Sequence, residues 1–290
     1  MRLQIASDLH LEFYDSKPLT TDFFRTLVNP DMDANVLLLA GDIGYPERKS
    51  TKDFLAWCCQ SWPHVIWVLG NHEYYLKRPC DEWKYCSQTD LLTMSEKEAL
   101  AENYMLTHSN LSVLANTYTV LPGLEHFRFV GTTLWTDIPD DKQAALEYYM
   151  NDFTYICSST SPPKPFTIHN WLDQFYDARE FLQEQFAEAH AAKQQVVVIT
   201  HHLPTYDLIL PQYKNSPMNC GFAAHCDDLL QHPSVVAWVC GHSHGQAELQ
   251  VKKTTGGECK VILNARGYKD EPSARTYDPN YIHSIVSYHK

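Results

Sequence analysis

Residues 35–44 read NVLLLAGDIG: an unbroken apolar run, a tight turn at Gly41, and then the carboxylate of Asp42. Four other stretches likewise end a short, mainly apolar run in side chains of metal-ligand type, LQIASDLH at 3–10, VIWVLGNHE at 65–73, VVVITHH at 196–202 and VVAWVCGHSH at 235–244. Continuous Val/Ile/Leu runs of this length mark strands buried on both faces, and in open α/β sheets the functional groups collect just beyond the carboxyl ends of such strands. The pattern predicts an α/β fold with Asp8, His10, Asp42, Asn71, His72, His201, His242 and His244 gathered on one edge of one sheet. Polar groups buried at the ends of apolar strands are costly unless partners satisfy them. Shared work on bound cations accounts for five strands that end alike.

The residue types fit that reading. Asp8 and His10 stand two apart, as do His242 and His244, so each pair can reach one ion from a strand end. The two oxygens of Asp42 can bridge two ions, and Asn71 adds a neutral carbonyl oxygen. Oxygen mixed with imidazole suits manganese, iron, zinc or cobalt better than calcium, and the lack of thiolate argues against a structural zinc. Two divalent ions match the ligand count, manganese first, with iron, zinc, cobalt or magnesium as other fits. His201 and His202 both follow the strand 196–200 and point to opposite sides, so either can be the ligand at this stage.

Length and charge narrow the class. The motifs run from residue 3 to residue 244 of a 290-residue chain, which favours one domain over 1–290 with loop or helical insertions near 74–108 and 138–193. With 35 acidic and 23 basic residues the net charge is −12, which disfavours an extended nucleic-acid partner, whereas bound cations would still attract a small anionic substrate. The first strand begins within three residues of Met1 and no apolar run approaches the ~20 residues of a membrane helix, so a cytoplasmic protein off the membrane is expected. The nine cysteines include no CxxC pair and read as reduced thiols, many of them in the core.

Between the motifs, 11–30 reads as a loop followed by a short helix at 22–27, and 53–60 as an amphipathic helix. Residues 77–90 are irregular and polar and lead into a helix that Ser95 caps, with Glu98 three residues on. The runs 112–121 and 127–135, separated by Pro122 and Gly123, read as an antiparallel pair. Residues 140–151 and 170–192 are expected to be helical, joined by a rigid, exposed, proline-rich connection at 158–166. The segment 259–271 is a strand that turns at Gly267.

DxH, GD, GNHE, a strand-end His and GHxH, in that order, resemble the signature of the calcineurin-like metallophosphoesterases over residues 1–268. The resemblance implies a four-layer α/β/β/α sandwich with two mixed sheets. It implies one metal held by Asp8, His10, Asp42 and His244 and a second by Asp42, Asn71, His201 and His242, with a metal-bridging water as nucleophile. His72 is then the catalytic group that faces the phosphate rather than a ligand. His201 becomes the ligand, as the first residue after its strand, and His202 a pocket wall or a donor behind the ligands. Glu73 orients His72 or pairs structurally, while Trp135, Asp152 and Tyr268 line the substrate site or pack in the core. The second motif, GDIGYPE, lacks the arginine of the protein Ser/Thr phosphatase GDxVDRG, so that branch is disfavoured. GTTLWTD at 131–137, MND at 150–152 and NARGY at 264–268 are instead similar to a small bacterial-type group. The expected activity is phosphoester hydrolysis, diesters before monoesters because no arginine clamp for a dianion is evident. The alternatives are a nuclease acting on flexible or single-stranded ends and a non-catalytic metal-bearing scaffold.

Overall fold

The computed structural model describes residues 1–14, 19–87 and 90–285, so part of the loop expected over 11–21 and two positions of the polar stretch 77–90 lie outside the described residues. The strands are β1 (Arg2–Ala6), β2 (Val36–Ala40), β3 (His64–Val68), β4 (Leu111–Leu114), β5 (Thr117–Thr119), β6 (Phe127–Thr132), β7 (Cys157–Thr160), β8 (Pro163–Pro165), β9 (Gln195–Thr200), β10 (Val235–Cys240), β11 (Gln246–Lys252), β12 (Glu258–Asn264) and β13 (Ile282–Ser284). The principal helices are α1 (Thr21–Leu27), α2 (Lys49–Ser61), α3 (Met94–Glu102), α4 (Asp140–Tyr149), α5 (Asp152–Tyr155) and α6 (Ile168–Ala191).

The apolar runs do form doubly buried parallel strands, but in two sheets rather than one. The first sheet has the order β13-β1-β2-β3-β4, the second β11-β12-β10-β9-β6-β5. Each has four parallel strands, with antiparallel partners β13, β11 and β5 at the edges. The period-2 alternation of a strand assigns the layers. Ile5, Leu38, Ile66, Val197, Val239 and Ile262 interleave in a core between the two sheets. Their neighbours Leu37, Leu39 and Trp67 face Phe24 of α1 and Phe54 and Leu55 of α2, while Val198 and Trp238 face α6. Helix α6 buries Trp171, Phe175, Ala178, Leu182, Phe186 and Ala189, a stripe at three- and four-residue spacing. The result is the expected α/β/β/α sandwich.

Local expectations fared unevenly. The run 112–121 divides at Asn116, which has a φ of +47°: β4 extends the first sheet parallel to β3, and only β5 forms the antiparallel pair with β6. Helix α3 is capped by Thr93, not Ser95. The side chain of Glu96 accepts from the Thr93 N–H at 2.8 Å, while Glu98 turns inward to accept from the Tyr74 hydroxyl at 2.9 Å. The proline-rich connection is a small two-stranded ribbon of β7 and β8, and the helix at 140–151 ends at Tyr149 before the short α5. No helix among the described residues is long and apolar enough to cross a membrane.

Candidate metal centre

The five motifs converge because the strand ends leave no room between them. A Cβ on Gly41 would overlap the His201 ring, one on Gly70 the Asp42 carboxylate, and one on Gly241 that of Asp8. Ser7 and Ala265 form a parallel bridge, with the Ser7 N–H donating to the Asn264 carbonyl at 3.2 Å, so β1 of the first sheet is stitched to β12 of the second beside the site. Asp8, His10, Asp42 and His242 adopt left-handed backbone conformations with φ of +56°, +50°, +54° and +66°. Such strain costs ~1–3 kcal/mol per residue and collects where function requires it.

Two groups of acceptors meet there. In the first, the His10 Nδ1 donates to Glu12 at 3.0 Å and the His244 Nδ1 to Glu271 at 2.5 Å, leaving their Nε2 lone pairs face to face at 3.3 Å. The His244 Nε2 is also 3.4 Å from the Asp8 carboxylate, and the His10 Nε2 3.7 Å from that of Asp42. In the second, the His201 Nδ1 donates to the Ala40 carbonyl at 3.0 Å, so its Nε2 lone pair faces the Asn71 Oδ1 at 3.0 Å, Asp42 at 3.3 Å and the His242 Nδ1 at 3.2 Å. The Asn71 amide is fixed with its oxygen inward, because its Nδ2 donates to Asp152 at 3.0 Å and to the Tyr75 hydroxyl at 3.1 Å. The His242 Nε2 is buried without a hydrogen-bond partner among the described residues. Lone pairs facing lone pairs in a buried nest repel unless a cation sits among them, and imidazoles whose far nitrogen is held by a carboxylate or carbonyl are the usual metal-ligand arrangement. The donor set therefore fits divalent ions. Asp8, His10 and His244 form one cluster of metal-binding geometry, Asp42, His201 and His242 another, and His10, Asp42 and His72 a third.

The electrostatics carry the same signature. Burial disfavours charge at Asp42, yet His201 and His72 hold its carboxyl well below the usual range. Burial would likewise neutralise His72 and His201, but carboxylates, Asp42 foremost, outweigh it and push both imidazoles up to about 9, so without a metal ion the His201 Nε2 takes up a proton in the place a cation would fill, and metal binding must displace it. For His202 burial wins, and with the neighbouring His201 it pushes the ring down to about 3.

His201, not His202, joins the acceptor cluster. His202 turns the other way, donates from its Nδ1 to the Thr133 carbonyl at 3.2 Å, and packs at a tilt against Trp135 and His242. His72 lies at the cleft. Its Nε2 is 3.2 Å from the Tyr268 hydroxyl and 4.0 Å from the Asp42 carboxylate, and its ring stacks on Tyr75 at 4.3 Å. Glu73 does not orient that imidazole. It is fully buried and accepts the backbone N–H groups of Asp42, Ile43, Gly44 and Gly70 at 2.8, 2.6, 3.1 and 2.7 Å, which ties the β2 and β3 turns together. Burial and Asp42 push its carboxyl up to about 8, but four N–H donors fill its acceptor directions and favour the ionised form. The group that holds His72 is Glu12, whose Oε1 is 3.1 Å from its Nδ1 as well as 3.0 Å from that of His10. Burial opposes charge on Glu12, yet these two rings hold it down to about 2. Asp152 stands behind Asn71, and Trp135 is core, packed against Phe166 and Trp171. Sequence reasoning missed Glu12, Glu271 and Tyr75. The first continues the alternation of DLHLE, whereas Glu271 and Tyr75 carry no local signal.

A buried His/Asp cluster at the carboxyl ends of parallel strands, between two sheets flanked by helices, defines a site for divalent metal ions. The chain belongs to the calcineurin-like phosphoesterase family, whose model matches residues 1–246. An uncharacterised protein of Acanthamoeba polyphaga mimivirus is 28% identical over 254 residues, 83% of this chain and 84% of that one. Among solved structures the chain is similar to the phosphopantetheinyl hydrolase of Mycobacterium tuberculosis, with a TM-score of 0.58, 16% identity and 93% of each chain covered, a likeness of fold. The family and the cluster make the chain a metallophosphoesterase.

Proposed function

We propose that the chain is a dinuclear, manganese-dependent phosphohydrolase that prefers phosphodiesters to phosphomonoesters. The observation that carries the reading is the pair of acceptor-only nests sharing Asp42. Asp8, His10, Asp42 and His244 would hold one ion, and Asp42, Asn71, His201 and His242 the other. When bound, such ions supply a water of lowered pKa as nucleophile and neutralise phosphoryl oxygens.

The chain's own residues do the rest. Hydrolysis adds the water oxygen to phosphorus and breaks the ester P–O bond, and the departing oxygen needs a proton. The His72 Nε2 faces the cleft, and Glu12 at its Nδ1 favours the protonated ring, which supports His72 as the donor. Tyr268, hydrogen-bonded to the same Nε2, marks the place of an entering oxygen. Asp152 and Tyr75 keep the Asn71 carbonyl turned inward, and Glu73 holds the two turns in register. The preference for diesters follows from a cleft lined, among the described residues, by no lysine or arginine that would grip a dianion.

The test is hydrolysis of bis-p-nitrophenyl phosphate and p-nitrophenyl phosphate by protein stripped of metal and refilled with manganese. Faster turnover of the diester is expected, and turnover of neither ester with any divalent metal would defeat the reading.

A further inference from the structure

The cleft that opens over the two nests has a volume of about 480 Å³ and two unlike sides. At the His72 side stand Glu12, Tyr75 and Tyr268, hydrogen-bonded or stacked around the imidazole. Much of the remaining lining is apolar: Tyr149 and Met150 come from the end of α4, and Ile209, Tyr213, Met218 and Phe222 from the segment that follows β9, with Asn151, Ser216 and Asn219 between them. This wall begins at the metal centre itself, because the Phe222 ring lies 4.7 Å from that of His242 at an angle of 30°. It is also firmly built. Gly221 presses against Leu146 and Met150 so closely that a Cβ there would come within 2.9 Å of Leu146, and the Leu203–Ala223 bridge closes the base of the segment. Tyr149 and Tyr213 are 71% and 49% exposed, so their ring faces are open at the rim.

Charge sharpens the picture. Beside the proposed ligands the cleft is lined by the imidazole of His72, on the leaving-group side, and by the carboxylates of Asp152 and Glu271, with no lysine or arginine among the described residues. A second phosphate on the retained arm would find no lysine or arginine to pair with and two carboxylates to oppose it, whereas an uncharged ring would bury apolar area on the wall.

We propose, on the phosphohydrolase reading above, that the substrate is a phosphodiester whose retained arm is uncharged, apolar and bears a flat ring, seated against Met150, Phe222 and Tyr213. The expelled arm leaves on the His72 side.

Two esters with the same leaving group isolate the retained arm: phenyl p-nitrophenyl phosphate and methyl p-nitrophenyl phosphate, assayed with manganese-refilled protein. The expected kcat/KM is at least about tenfold higher for the phenyl ester, mainly through KM, from the apolar area that a ring buries. The double substitution Tyr213→Ala with Phe222→Ala should bring the phenyl-to-methyl ratio close to one. Thymidine 5′-(p-nitrophenyl phosphate) should lose about tenfold in kcat/KM when a 3′-phosphate is added, the like-charge penalty of the acidic lining. A ratio near one in the native protein, a ratio that survives the double substitution, or a preference for the 3′-phosphorylated ester would each overturn the proposal. Calorimetric binding of diphenyl against dimethyl phosphate needs neither turnover nor a variant. Diphenyl phosphate bound about tenfold tighter upholds the arm site even where no ester is hydrolysed, an outcome that would defeat only the hydrolase reading, and equal binding overturns the arm site.

Discussion

Replacing Glu73 by Gln probes how the scaffold sets the metal nests without touching a ligand. The carboxylate is 0% exposed, and each oxygen accepts two backbone N–H groups: Oε2 those of Asp42 and Gly70, Oε1 those of Ile43 and Gly44. Glutamine keeps the volume and one oxygen but turns an NH₂ toward the remaining two donors, whichever way the amide rotates. Each buried N–H left without an acceptor costs ~1–3 kcal/mol, so the substitution should destabilise the chain by ~2–6 kcal/mol. Equilibrium urea unfolding in excess chelator measures this directly, because metal binding to the native state would otherwise mask part of the loss. The displaced turns carry Asp42 and Asn71, so the variant should also bind manganese more weakly. Unfolding within ~0.5 kcal/mol of the native protein, the usual range for surface changes, would refute the assignment of Glu73 as the clamp.

Three further outcomes are expected. His72→Ala should lower kcat on bis-p-nitrophenyl phosphate by ~10²–10⁴ while elemental analysis finds the native metal content. Glu12→Gln keeps an oxygen beside the Nδ1 groups of His10 and His72 but removes the negative charge they share, and should cost ~10–100-fold in activity or metal affinity, read from kcat and from manganese titration. Phe129→Ala opens a cavity in the core between the sheets and should destabilise the chain by ~3–5 kcal/mol in urea, with kcat of the folded fraction little altered.

The legibility of this chain follows from where its ligands sit. Each proposed ligand comes two to four residues after a short, mainly apolar run, so strand and chemistry are read together, and the order of the five motifs made the α/β/β/α arrangement legible as a family resemblance. How the runs divide between sheets was hidden from the pattern, because a doubly buried strand looks the same in either sheet. The run 112–121 misled for a related reason: its β propensity is continuous, and the change of sheet depends on the turn at Asn116. Ser95 looked like a cap because its spacing to Glu98 is right, but Thr93 has the same spacing to Glu96 and Glu98 is drawn to buried Tyr74. Glu73 was read as orienting His72 or pairing structurally, and its carboxylate takes the structural part, accepting four N–H groups that turn formation leaves without partners. Glu271 reaches His244 only because the turn at Gly267 folds back, a tertiary fact that no local spacing encodes.

The central claim is that two acceptor-only nests meet at Asp42, and counting the ions tests it most directly. Protein stripped with chelator, refilled with manganese and freed of excess should contain two manganese ions per chain by elemental analysis, and the Asp42→Ala protein, shown to be folded, fewer than one. A native content of one ion or none, or an Asp42→Ala protein that still holds two, would contradict the account.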